Sequence, residues 1–217
     1  MRILIIGAGK VGSSVAGNLV SESNDITIVD TNKAKIAEIQ SNYDLQGIVG
    51  DATSPSVLAD AGAVDADMII AVTANDETNL AVTLIAEQLF NVPSRIARVR
   101  NDELREYPAL LSTSGFRATS VIWPEEAITN YIVQLITYPE ALQVIEFSDG
   151  DVVLMSVKIV SSSKMCGRPV SALQDELPRV KVQIVSIYRQ KYRLDDIDGK
   201  TVLEAGDEIF FLTTKTG

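Results

Sequence analysis

At 217 residues the chain is long for one domain and short for three, and its 46% apolar content suffices for a buried core and exceeds that of disordered chains. Nineteen basic against 29 acidic side chains give a formal charge of −10, which argues against the clustered cationic face that nucleic acid or anionic lipid requires. Histidine is absent and cysteine occurs once, at Cys166, which removes Ser-His, Cys-His and His-ligand metal chemistry, internal disulfides and thiol clusters, and fits a reducing compartment.

The opening run Met1–Gly7 is far too short for the core of a signal peptide, and no stretch approaches the roughly 18 apolar residues that span a bilayer, so the chain reads as soluble. Ile3–Ile6 is a continuous branched run, as in a strand covered on both faces. Val11–Val20 follows with helical spacing, then strand Ile26–Val29, helix Ala34–Ile39 and a poorer strand, Gly47–Gly50. Pro55, Val57 and Leu58 start a short helix with Ser54 as N-cap. Met68–Val72 is the strongest strand and Thr78–Leu89 the best helix. Strands Arg95–Val99 and Thr119–Ile122 flank a helical Leu104–Leu111. Six units in strict alternation predict a six-stranded parallel sheet with helices on both faces, the Rossmann-type α/β class.

The rhythm changes after Pro139. Val144–Phe147, Val152–Val160, Val182–Tyr188, Thr201–Leu203 and Glu208–Thr213 read as strands, separated by turn signals such as Asp198-Gly199 and Ala205-Gly206-Asp207. One helix, Val170–Leu177, interrupts them. The expectation is a second, small β-rich (α+β) lobe of about 75 residues.

Gly7-Ala8-Gly9-Lys10-Val11-Gly12 matches G-x-G-x-x-G directly between a buried strand and a helix, and the next strand ends in Asp30, eighteen residues past Gly12. Gly7 permits the tight turn, Gly9 lets a pyrophosphate approach the backbone, and Gly12 lets helix and strand pack closely. Free N–H groups and the partial positive charge of the helix N-terminus favour a phosphate. Asp30 is placed to accept from both ribose hydroxyls and to repel a 2′-phosphate. No Arg or Lys follows it immediately, so NAD or another adenine nucleotide is expected ahead of NADP. Lys10 offers an ammonium to a terminal phosphate of ADP or ATP, or is simply a solvated lysine at a helix start.

Open α/β sheets bind ligands at the C-terminal ends of their strands, which here carry Gly50-Asp51-Ala52, Thr73-Ala74-Asn75, and Arg98 with Arg100. Asp51 and Ala52 are expected to flank the adenine; Thr73, Ala74 and Asn75 border the second phosphate or ribose. Arg98 and Arg100, on one face of their strand by period-2 alternation, meet either phosphate or the nearby Asp102 and Glu103.

A nucleotide fold does not establish an enzyme. No histidine is present to donate a proton, no Tyr is followed four residues later by Lys, and the second lobe lacks an evident chemical cluster. A binding and regulatory module is therefore expected rather than catalysis. The alternatives are an NAD-dependent oxidoreductase with a missing or borrowed substrate domain, and a module whose second lobe holds the effector.

The Gly7–Gly12 loop, Asn24–Thr31, Asp65–Met68, Asp76–Asn79, Arg95–Arg100 and Glu204–Phe211 together resemble the RCK (regulator of K⁺ conductance) family from end to end. The resemblance implies a Rossmann nucleotide-binding lobe over residues 1–123, a crossover helix and hinge over 124–141, and a C-terminal lobe over 142–217. It further implies NAD(H) as ligand, with ATP and ADP competing, and self-association into a dimer or ring. The membrane partner is then a potassium-translocating subunit of the Trk type, which holds the module at the inner face of the membrane without inserting it. The member it resembles most carries two tandem modules, whereas these residues hold one, so the chain is expected to be either the first half of a longer protein or a single module. Glu125–Thr137, with Ala127, Tyr131 and Leu135 beside Ile128, Ile132 and Ile136, supplies the crossover helix, its broad apolar face destined for a subunit interface or for its own domain core. Pro124 suits the first helical position, and Glu125 matches a Pro-Glu step where related modules place a carboxylate near the phosphates, sometimes through a cation.

Overall fold

The structure, a computed structural model, describes residues 1–20, 24–112, 114–147, 151–173 and 182–214. Six parallel strands, β1 (Arg2–Ile6), β2 (Asp25–Asp30), β3 (Gln46–Val49), β4 (Met68–Ala71), β5 (Ser94–Arg98) and β6 (Ser120–Ile122), form one sheet in the order β3-β2-β1-β4-β5-β6. Ile3–Ile6 are at most 3% exposed, which requires cover on both faces and puts β1 at the centre. Alternation divides the strands' side chains between two layers. Ile3, Ile5, Ile26 and Ile28 pack under α1 (Lys10–Val20) and α2 (Lys33–Asn42) with Ala16, Ile36 and Ile39. Leu4, Ile6, Val29 and Ile69 pack under α3 (Pro55–Asp60) and α4 (Asp76–Phe90) with Leu58, Val82 and Ala86. Burying each such isoleucine or leucine contributes roughly 1.5–3 kcal/mol. These elements belong to one compact unit, Met1–Ile128.

Local differences from the sequence pattern have local causes. The helical stretch expected over 104–111 is split into a 3₁₀ turn, Asp102–Glu106, and a four-residue helix, α5 (Pro108–Leu111). Pro108 excludes Tyr107 from the helical region, and Tyr107 adopts φ −122°, ψ 59°. Ser54 stands at the N-cap of α3 without a side-chain cap; its carbonyl accepts from Val57 and Leu58, and Pro55 fixes the first turn.

The helix α6 (Pro124–Thr137) begins at Pro124, and none of its residues is buried. Ile128, Tyr131, Ile132 and Ile136 are 49–74% exposed, so this face is not the core of its own domain.

The second unit, Thr129–Gly217, holds an antiparallel sheet of β7 (Ala141–Phe147), β8 (Val152–Lys158), β9 (Val182–Arg189), β10 (Tyr192–Arg193) and β11 (Glu208–Thr214), in the order β10-β9-β11-β8-β7. The β9–β10 hairpin turns at Gln190 and Lys191, both at positive φ (52° and 71°), without the Asn-Gly chemistry that advertises such turns. Thr201–Leu203 is not a strand: Val202 makes an isolated bridge with Pro169, whose missing N–H cannot extend a ladder. Of the expected helix Val170–Leu177, Ala172 and Leu173 are helical and residues 174–177 lie outside the described residues.

Among the described residues of this unit, a buried carboxylate is held in an ion pair. The Arg189 Nε and Nη2 groups donate to the two carboxylate oxygens of Asp207, each at 2.8 Å, and Asp207 is 0% exposed. The Glu204 amide also donates to Asp207 at 2.8 Å, while Arg189 reaches the Glu204 carboxylate and the Val202 carbonyl. Burial pushes the Asp207 carboxyl upward. The bonds from Arg189 and the Glu204 amide, with the charge of Arg189, outweigh it and hold the group below the usual aspartate value.

Candidate nucleotide site

The loop between β1 and α1 is built as its glycines require. Gly7 sits at φ +103°, where an L side chain is strained, and a Cβ there would lie 3.1 Å from the Thr73 backbone. A Cβ on Gly12 would lie 1.8 Å from the Gly7 carbonyl oxygen, so only glycine lets α1 descend this close to the turn. A Cβ on Gly9 would meet nothing within 4 Å, which leaves its backbone open to an approaching group. Ala8 and Gly12 are buried, whereas Lys10 and Val11 are exposed in a first turn that contains no acidic side chain.

Asp30 ends β2 beside this loop. Its Oδ2 accepts from the Ala8 amide and its Oδ1 from the Asn32 amide, each at 2.8 Å, so the carboxylate already ties the loop to the start of α2. Each oxygen retains a second lone pair for a ligand hydroxyl. Lys35, not singled out by the sequence reading, places Nζ 3.9 Å from Asp30 Oδ2. The Lys33/Lys35 pair just beyond Asp30 was the available signal, hidden because neither lysine follows Asp30 directly.

The remaining strand ends surround the loop unevenly. Asp51 Oδ1 accepts from the amide and the hydroxyl of Thr53, which hold its carboxyl below the usual value, and Ala52 is buried in the core under α3. Thr73 is half-buried, Ala74 and Asn75 are exposed, and the Asn75 side chain caps α4 by accepting from the Thr78 amide. Beneath them lies Asn79, fully buried, whose Oδ1 accepts from the Thr73 amide and hydroxyl at 2.9 and 2.7 Å and whose Nδ2 donates to the Thr73 and Arg98 carbonyls at 3.3 and 2.8 Å. Asp76 adds a second tie, accepting from the Arg100 and Asn101 amides at 2.8 and 2.9 Å. The sequence offered both residues within Asp76–Asn79, but a polar residue at the start of a helix carries no mark of burial.

Arg98 and Arg100 do not share a strand. The β5 strand stops at Arg98, which is half-buried with its Nε lacking a partner, and Arg100 follows it exposed. Neither pairs with Asp102 or Glu103 among the described residues. Asp102 instead meets Arg105 at 3.4 Å, and Arg105 also holds Glu126 at 3.2 Å while its guanidinium lies 4.7 Å from the Trp123 ring centre. Glu125 is exposed in the first turn of α6, and no group of three metal-ligating side chains occurs among the described residues.

A glycine turn leading from the central strand into a helix, an acid closing the next strand, and a strand order that reverses between β1 and β4 define a Rossmann-type nucleotide-binding fold. The chain belongs to the TrkA family: the TrkA-N domain model matches residues 3–124 and the TrkA-C domain model residues 154–217. It is 45% identical over 213 residues to the Trk system potassium uptake protein TrkA of Vibrio alginolyticus, covering 98% of this chain and 46% of that protein. It is 31% identical over 188 residues to a TrkA homolog of Methanothermobacter thermautotrophicus, covering 87% of this chain and 82% of that one. The chain thus spans about half the length of the first of these relatives. Among solved structures it resembles the GsuK channel bound to NAD, with a TM-score of 0.64 at 18% identity over 99% of this chain and 37% of the channel. GsuK bound to ADP matches with a TM-score of 0.52 at 21% identity, covering 64% and 35%.

Proposed function

We propose that this chain is a nucleotide-sensing regulatory module for potassium uptake, taking NAD(H) at the Gly7–Gly12 loop with ATP and ADP as competitors. The observation that carries this reading is the open backbone at Gly9, set at the N-terminus of α1 and flanked by the Asp30 carboxylate. Relatives named for Trk potassium uptake and the NAD- and ADP-bound GsuK structures support it. In this reading the α1 amides and Lys10 hold phosphate, and Asp30 accepts from the ribose. Asp51 and Ala52 border the adenine, and Thr73, Ala74, Asn75, Arg98 and Arg100 border the distal half. Residues 1–123 serve as the nucleotide lobe, 124–141 as crossover and 142–217 as the second lobe. A ligand acts by binding one arrangement of the assembly more tightly than another. The partner is a Trk-type membrane subunit on the cytoplasmic side; no helix among the described residues is long and apolar enough to cross the membrane itself.

Thermal unfolding with NADH, NAD, ATP and ADP tests the ligand. Asp30→Ala is expected to weaken NADH by about 1.5–3 kcal/mol through loss of a charged acceptor. Unchanged NADH affinity would remove Asp30 from the site.

Self-association is assigned to α6. Exposing Ile128, Tyr131, Ile132 and Ile136 together is unfavourable for a chain that stays alone. Ile132→Asp with Ile136→Asp is expected to leave a folded chain that sediments as a monomer. Retention of the wild-type assembly would place the interface elsewhere.

A further inference from the structure

We propose that Lys10 and Lys35 form a phosphate subsite on the α1–α2 side of Asp30, so that the pocket accepts an adenine nucleotide carrying a phosphomonoester on its ribose as well as NAD. The inference rests on the nucleotide reading of the glycine loop and extends it to ligand choice. From Ala8 and Gly9 a recess of about 560 Å³ runs between α1 and α2, with Lys10, Ser14 and Lys35 on its walls and Tyr43 among its lining residues. Lys35, whose ammonium lies 3.9 Å from the Asp30 carboxylate, joins Lys10 in lining it, which sets both cations beside the acid that faces the ribose edge.

The charges there are available. Lys10 has no carboxylate within ion-pair distance among the described residues and is exposed. Lys35 is near Asp30, yet 3.9 Å is beyond hydrogen-bond length and its side chain is 47% exposed, so the ammonium is free to turn toward an incoming anion. Asp30 is the group expected to repel a ribose phosphate, but each of its oxygens already accepts from one amide, of Ala8 or Asn32, and the Lys35 ammonium nearby offsets part of its charge. Glu38, the carboxylate that also lines the recess, is in ion-pair contact with neither lysine. The first turn of α1 adds unopposed positive partial charge. The rule that reads a ribose phosphate against an acid at the end of β2 looks for a cation directly after it; here the cation arrives from the first turn of α2.

A 2′-phosphate, as in NADPH, and a 3′-phosphate, as in coenzyme A, offer the same chemistry, and 2′,5′-ADP and 3′,5′-ADP separate them. Calorimetric titration of the whole chain with NADH, NADPH, these two bisphosphates and 5′-ADP is compared in wild type, Lys35→Met and Lys35→Arg. The wild type is expected to bind at least one bisphosphate more tightly than 5′-ADP. Loss of the ammonium in Lys35→Met should weaken that bisphosphate about tenfold, the size of one charge-assisted contact, while NADH changes about threefold or less. Lys35→Arg, which keeps the charge, should retain the preference and shows that the effect is not a folding defect. Binding of NADH and 5′-ADP with no gain from either ribose phosphate, or equal losses for all ligands in Lys35→Met, overturns the subsite and leaves the glycine-loop reading standing. Failure of every nucleotide to bind overturns both.

Discussion

Arg189→Met is expected to destabilise the C-terminal unit by about 3–5 kcal/mol, the cost of leaving a buried carboxylate without its cation. Asp207 is fully buried and receives two of its three hydrogen bonds from Arg189, so truncation leaves Oδ1 without its donor and Oδ2 with the Glu204 amide alone. The single tryptophan, Trp123, belongs to the other unit. Loss of far-ultraviolet circular dichroism at lower denaturant with an unchanged tryptophan transition is therefore the expected signature. Identical transitions in variant and wild type would show that the pair is energetically silent. Converting both partners, Arg189→Met with Asp207→Leu, should recover much of the loss, because no charge then remains to be desolvated. The pH dependence follows from the same pair. The folded carboxyl lies below its ordinary value, so its contribution is complete above the unfolded pKa near 4 and declines as the pH falls through the folded value. Wild type should lose this stability on acidification, and Arg189→Met should show less of that loss.

Gly12→Ala is the second large effect. The new methyl would stand 1.8 Å from the Gly7 carbonyl oxygen and 3.0 Å from its carbon, and both obstacles are backbone. Either α1 lifts or the turn moves, at a cost of about 3 kcal/mol, the upper part of the usual overpacking range. The displacement also spoils the loop as a phosphate cradle. A nucleotide at about 100 times its Kd stabilises wild type by about 2.7 kcal/mol, and this increment should vanish in Gly12→Ala. Gly9→Ala is the matched control for space, since its methyl meets no protein atom within 4 Å. It should fold normally and lose affinity only. Equal nucleotide stabilisation in wild type and Gly12→Ala would dissociate the loop from the ligand.

The sheet was legible because its two central strands carry continuous apolar runs, Ile3–Ile6 and Met68–Ala71, a pattern that both faces of a covered sheet demand at once. The glycine loop was legible because three separate steric requirements fall on three fixed positions. What escaped reading has two physical sources. The β9–β10 hairpin turns on Gln190 and Lys191, residues that rarely adopt positive φ, so tertiary pairing imposed a conformation that local preference opposes. Asn79 acquires its role only when the ends of β4 and β5 are brought together, which neither spacing nor composition records, and Lys35 escaped because it lies one helical turn beyond Asp30 rather than directly after it. Arg98 and Arg100 were read as one strand face, but the end of a strand falls between them.

The buried amide of Asn79 has a mechanical consequence. One planar group, locked inside the core, grips the Thr73 peptide on one side and the Arg98 carbonyl on the other. The two loops rising from β4 and β5 therefore lose much of their independent motion before any ligand arrives, and binding need not order them afresh. A pull on either loop is passed to the other through that amide, so these two strand ends respond as a single lever.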